Sequence, residues 1–173
     1  MSGTLSAMTL PLPIAPRDAL VQIIDPALHL LPPNLTSDQA RVQTLAIFLQ
    51  ESGLKCRVQI GGPAHGLAQF ERGGVNGVLN HRASAALAKG LCAVRGVPAL
   101  CDAVYAALAT DDVMAAGFAR LLLLTDAAPL PALGDPMAAW SYYQRNWRPG
   151  RPHPEAWPQH YATALSTVRA VNA

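Results

Sequence analysis

A chain of 173 residues, 51% hydrophobic and 14% charged, is long enough for one packed core and too apolar for a disordered polymer. Its 13 basic and 11 acidic residues leave a formal charge of +2, too balanced to argue for nucleic acid, and Cys56, Cys92 and Cys101 have neither CxxC nor Cys/His zinc spacing. Buried thiols are expected, at least one of them free unless it pairs between chains.

Met1 to Pro16 lacks a basic leading region and is interrupted by Pro11, Pro13 and Pro16, so it reads as a proline-containing arm, not a signal peptide. Residues 17–173 read as one mainly α domain, expected to be soluble because no apolar run is long and uninterrupted enough to span a membrane. Asp18 to Leu31 has helical apolar spacing, kinked or restarted near Pro26, and Pro32-Pro33-Asn34 forces a loop. Thr36 or Ser37 caps a second helix, Asp38 to Ser52, whose core stripe is Val42, Leu45, Ala46 and Leu49. Glu51 lies about 180° from Val42 on that helix, on the side of Thr44, Ile47 and Phe48.

Lys55 to Ile60 alternates as a short extended segment, Gly61-Gly62-Pro63 turns, and Gly66 to Phe70 is short and helical or extended. Gly73-Gly74 reads as flexible chain before Val75 to Asn80. Helices follow over Ala83 to Val94, Pro98 to Ala109 and Asp111 to Thr125, the last carrying Leu121 to Leu124 as a centrally buried run. After the proline-rich connection Pro129 to Pro136 come helices over Met137 to Trp147 and Glu155 to Val171, with Pro158 in the first turn of the latter.

The chemistry concentrates where the second helix ends. Glu51 is delivered to a glycine-rich, turn-forming segment, and a carboxyl group in partly apolar surroundings has the raised pKa that a general acid needs. Glu71 is the nearest second carboxylate, either an assisting group or a solvated charge paired with Arg72 or another base. Trp140, Tyr142, Tyr143 and Trp147 gather two of the three tryptophans and two of the four tyrosines into one helix, as core packing or as sugar-stacking surface. His65, His81, His153 and His160 form no compact ligand pattern, so no metal and no cofactor is expected, and Arg145, Arg148 and Arg151 make the clearest basic group.

Glu51-Ser52-Gly53 followed by Gly66-Leu67-Ala68-Gln69-Phe70 resembles the Glu-Ser and Gly-Leu-Met-Gln-Phe-type motifs of the soluble lytic transglycosylase and goose-type lysozyme superfamily. The resemblance covers about Ala40 to Phe70 and continues more loosely through Trp140 to Trp147, with Ala68 where the family has methionine and Glu71 as an extra carboxylate. It implies a lysozyme-like, two-lobed helical domain with a small extended or irregular segment beside a polysaccharide cleft. It also implies cleavage of the β-1,4 bond between N-acetylmuramic acid and N-acetylglucosamine in bacterial peptidoglycan, by hydrolysis or by internal transglycosylation. By motif position Glu51 is the general acid. Ser52, Gly66, Leu67, Gln69 and Phe70 orient it or contact sugar, and Tyr142 or Tyr143, with Tyr143 preferred, supplies a hydrogen bond to it. Asn146 and Trp147 complete the expected substrate surface. The implied setting is a phage or prophage endolysin, reaching the wall from the host cytoplasm, or a virion component; the alternative is a non-catalytic peptidoglycan-binding or structural phage protein with the same fold.

Overall fold

The computed structural model describes residues 9–173, so the first half of the proline-containing arm lies outside the described residues. Among those described, the chain forms nine α-helices and no strand. These are α1 (Pro16–Ala19), α2 (Asp25–His29), α3 (Asp38–Glu51), α4 (Arg72–Asn80), α5 (Ala85–Arg95), α6 (Cys101–Ala107), α7 (Asp112–Leu124), α8 (Pro136–Trp147) and α9 (Trp157–Asn172). A π-helical turn, Leu20–Ile24, joins α1 to α2, and a 3-10 turn, Pro33–Leu35, follows α2.

The helix expected over Asp18 to Leu31 is therefore present but wider in its middle turn, and Pro26 follows that π-helical turn directly, at the second residue of α2. Ser37, rather than Thr36, caps α3 by accepting from Ala40 N at 3.1 Å. Asp111 and Asp135 cap α7 and α8 in the same way, and Pro158 occupies the first turn of α9.

α3 and α7 occupy the interior. α9 runs against α3, while α7 touches α2, α3, α4, α5 and the π-helical turn. In α7 every residue from Asp112 to Leu121 is buried, Leu123 is buried, and Leu122 and Leu124 are half-buried. Gly117 permits this closeness: a Cβ there would stand 2.5 Å from Leu91 Cδ2 of α5. Partners on several sides likewise widen the buried surface of α3 beyond the narrow stripe expected of it. Val42 through Phe48 are buried without a break, and Leu49 is only half-buried.

Three local expectations are corrected. Gly73-Gly74 is part of α4, not loose chain before it, because Glu71 O already accepts from Val75 N and starts the helical ladder. Lys55 to Ile60 makes no strand; it contributes one isolated antiparallel bridge, Val58 to His65, and His65 makes another to Phe70. Of the three cysteines only Cys92 is buried, its thiol pushed up to about 11 by that burial, whereas Cys56 and Cys101 are half-buried; all three are free.

Candidate active site

α3 ends at Glu51 because the chain turns left-handed immediately afterwards, at Gly53 (φ 59°) and Leu54 (φ 58°). Ser52 shapes this exit. Its hydroxyl donates to Phe48 O at 3.0 Å and accepts from Leu54 N at 3.2 Å, so it is buried in the turn and does not line the cleft. Leu54 is buried beneath the turn and receives Ile14 N from the arm at its carbonyl, 2.9 Å away.

Glu51 opens onto a cleft of about 870 Å³, a volume suited to several sugar-sized groups. Phe70, Tyr143 and Trp147 supply aromatic surface to it, and Gln50, Gln59, Gln69 and Asn146 supply amides. The Tyr143 hydroxyl donates to Glu51 Oε1 at 2.5 Å. Burial pushes the Glu51 carboxyl up from its ordinary 4.5 to about 7, against the Tyr143 hydrogen bond, which pulls it down. The phenol is raised by burial first and then by the negative charge of Glu51, so Tyr143 remains a donor across the neutral range.

Tyr143 is held by rings on both sides. Its ring stacks on Trp157 with centroids 5.2 Å apart and lies 6.3 Å from Trp147, whose other neighbour is Phe70 at 5.7 Å. Trp147 Nε1 donates to Ala68 O at 2.9 Å, which ties the end of α8 to the loop before α4. Trp140 packs in the core against Tyr143 and Trp157. The two tryptophans seven residues apart on α8 thus separate, one into the core and one to the cleft.

The loop from Arg57 to Phe70 is fixed by backbone pairing instead of by a sheet. Gln59 N donates to Ala64 O, Gly66 N to Arg57 O, and His65 and Phe70 exchange two bonds of 2.8 Å. Gly66 has φ 78°, and a Cβ would stand 2.9 Å from Leu108 O. It and the fully buried Leu67 therefore brace the loop from behind, outside the cleft lining. Gln69, left-handed at φ 51°, donates to Gly66 O at 2.7 Å and turns Gln69 and Phe70 toward the cleft. His65 stacks on Tyr105, ring centroids 3.9 Å apart, and its Nδ1 meets Tyr105 O at 3.0 Å, so that nitrogen carries the proton.

The structure thus brings Glu51, Glu71, Gln69, Phe70, Tyr143, Asn146 and Trp147 to one cleft. It does not bring Ser52, Gly66, Leu67 or Tyr142 to the lining. Tyr142 is buried, its hydroxyl donating to Leu123 O at 2.8 Å, because it lies on the other side of α8 from the cleft-facing rings. Glu71 does not pair with Arg72, whose guanidinium takes Asp102 instead and lies over the Tyr105 ring. Asn146 Nδ2 is committed to Asp126 Oδ2 at 2.9 Å and Tyr142 O at 2.8 Å.

Sequence reasoning missed Gln50, Gln59, Ile60 and Leu122 as cleft residues. Gln50 accepts from His160 Nδ1 at 2.9 Å and donates to His153 O at 3.1 Å, so the residue before Glu51 anchors both α9 and the segment after α8. Its place beside Glu51 was a usable signal; its partners, more than 100 residues away, were not. Among the described residues no group of three or more His, Cys, Asp or Glu side chains is arranged to hold a metal ion. No helix among them is long and apolar enough to cross a membrane. No family model, curated protein or solved structure matches the chain.

Proposed function

We propose that this chain cleaves the glycan strands of bacterial peptidoglycan at the β-1,4 bond between N-acetylmuramic acid and N-acetylglucosamine, with Glu51 as general acid. One observation carries the reading: a carboxyl at the end of a buried helix, raised to about 7 and hydrogen-bonded by Tyr143, opens onto a cleft walled by aromatic rings and amides. Rings present apolar faces to sugars while amides pair with hydroxyl and acetamido groups, a mixture that suits an oligosaccharide better than a flat apolar ligand. On this reading the domain is lysozyme-like, α3 is its catalytic helix, and the cleft separates its two lobes. The setting is a phage or prophage lytic protein acting on the cell wall.

Tyr143 engages Oε1, which leaves Oε2 to carry the proton toward the glycosidic oxygen. As the C–O bond breaks, the proton moves to the leaving oxygen, and the carboxylate left behind keeps the Tyr143 hydrogen bond, a contact stronger to the anion than to the acid. The oxocarbenium-like centre is then attacked either by water, with Glu71 as the assisting carboxylate in the same cleft, or by the muramic acid 6-hydroxyl, with Glu51 accepting its proton.

Mass analysis of the fragments released from purified peptidoglycan separates these routes, since water leaves reducing muramic ends and internal attack leaves 1,6-anhydro ends. Glu51→Gln keeps the side-chain shape and removes the transferable proton, so release should fall by roughly 10²–10⁴-fold with the fold intact. Fragment release at the parent rate would overturn the assignment.

A further inference from the structure

The outer edge of the cleft carries basic side chains that the cleavage step does not use. Arg148, Arg151 and His153 all line it. His153 faces Glu155 at 3.2 Å, and the neighbouring Arg145 is taken by Asp126 at 2.8 Å. Among the described residues, no carboxylate pairs with Arg148 or Arg151. The carboxyl groups sharing the cleft with them are Glu51, which is partly neutral near pH 7, and Glu71.

The backbone that presents these two guanidinium groups is constrained. Arg148 closes α8 in the left-handed region, φ 48° and ψ 53°, where glycine or asparagine is at ease and arginine is not. Pro149, Pro152 and Pro154 fix φ at three of the next six residues, and Gln50 Nε2 binds His153 O at 3.1 Å, fastening the segment to the residue before Glu51. Arg148 Nε donates to Arg145 O at 3.5 Å, which leaves its terminal nitrogens outside that bond. Two guanidinium groups without a carboxylate partner among the described residues, at the rim of a cleft that reaches the proposed glycan-cleaving acid, match the planar fork of a carboxylate.

We propose that Arg148 and Arg151 form a carboxylate-binding subsite that selects peptide-substituted glycan, taking an acidic group of the peptide stem while the sugar chain lies across Glu51. The proposal rests on the glycan-cleavage reading and adds its substrate class. Bare oligosaccharide fills the cleft without engaging this edge; a strand carrying acidic stem peptides engages both.

The test uses the full chain carrying Glu51→Gln, so that ligand is not consumed, titrated with soluble peptidoglycan fragments followed by calorimetry. The native fragments are compared with the same fragments whose stem carboxylates have been capped as neutral amides. Native fragments should bind about tenfold more tightly, the gain shrinking as salt rises from 0.05 to 0.5 M on the order of the screening expected for a rim charge. Adding Arg148→Gly and Arg151→Gln together should erase the difference between the two ligands. Glycine relieves the left-handed strain at position 148, so the melting temperature of that variant should hold or rise, which separates lost recognition from lost fold. Equal affinity for native and capped fragments overturns the subsite and leaves the cleavage reading standing. Failure to bind either fragment also overturns it, and product analysis with the parent chain then shows whether cleavage fails too.

Discussion

Burial and the Tyr143 hydroxyl act on Glu51 in opposite directions, burial raising its proton affinity and the hydrogen bond lowering it, with burial the larger. Tyr143→Phe removes the lowering influence and keeps the ring between Trp147 and Trp157, so the carboxyl should become a weaker acid. An acid must be protonated to act, and the alkaline limb of the pH–rate profile of the proposed glycan cleavage, expected near 7 in the parent, should therefore move upward. An unchanged or downward-shifted limb would remove Tyr143 from this role. The same shift has a consequence for stability. A carboxyl whose folded pKa of about 7 exceeds its unfolded value of 4.5 binds its proton more tightly when folded, so its favourable contribution is complete below 4.5 and is lost as pH rises through 7. Glu51→Gln abolishes that loss. The variant should match the parent near pH 4.5 and exceed it at pH 8 by on the order of 2 kcal/mol in urea denaturation, allowing for solvent relaxation around a partly exposed group. Glu51 was legible because helix periodicity and the glycine that follows both mark a helix end. The ring stack that holds Tyr143 was not, since Trp157 lies on another helix and no local pattern pairs them.

At the scale of elements, α3 carries more buried surface than its own pattern announces. Periodicity reports only how apolar residues repeat around one helix, and the burial of Gln43 and Thr44 depends on how closely neighbouring helices surround it. Gln43 resolves its position by donating to Ala139 O of α8 at 3.1 Å. Thr44 does not: its Oγ1 is fully enclosed and has no hydrogen-bond partner among the described residues. Thr44→Val exchanges that hydroxyl for a methyl of nearly the same size, and should raise unfolding free energy by about 1 kcal/mol with the proposed glycan cleavage unaltered, a gain readable as a shift in the urea midpoint. A loss of stability would mean that the hydroxyl has a bonding role. The long helices were legible from their apolar periodicity, and Ser37 was one of the two caps read for α3; Asp111 and Asp135 also act only three residues ahead, but as caps they were not read from the sequence. α4 was not legible, because Gly73-Gly74 disfavours a helix locally and the packing of α4 against α5, α6 and α7 overrides that preference.

At the scale of the whole molecule, one buried ion pair joins three parts of the chain that are distant in sequence. Arg57 meets both carboxylate oxygens of Asp112 at 2.7 Å, at the first turn of α7 where the helix dipole also favours negative charge. The described part of the arm closes the arrangement, Leu10 N donating to Asp112 Oδ2 at 3.2 Å and Leu10 O accepting from Arg57 Nη2 at 2.5 Å. Arg57 O in turn accepts from Gly66 N at 2.7 Å, so the same residue holds the loop that carries Gln69 and Phe70 to the cleft. Asp112 is fully buried, and removing its partner leaves a charge with no compensating guanidinium. Arg57→Met, which keeps the length of the side chain and discards its charge, should therefore cost about 3 kcal/mol in urea denaturation. The arm should also become cleavable around residues 10–16 in limited proteolysis at temperatures where the domain stays folded. The proposed glycan cleavage should fall under the same conditions because the loop edge of the cleft loses its brace. A variant that keeps the parent midpoint and a protected arm would show that the ion pair joins these segments without stabilising them.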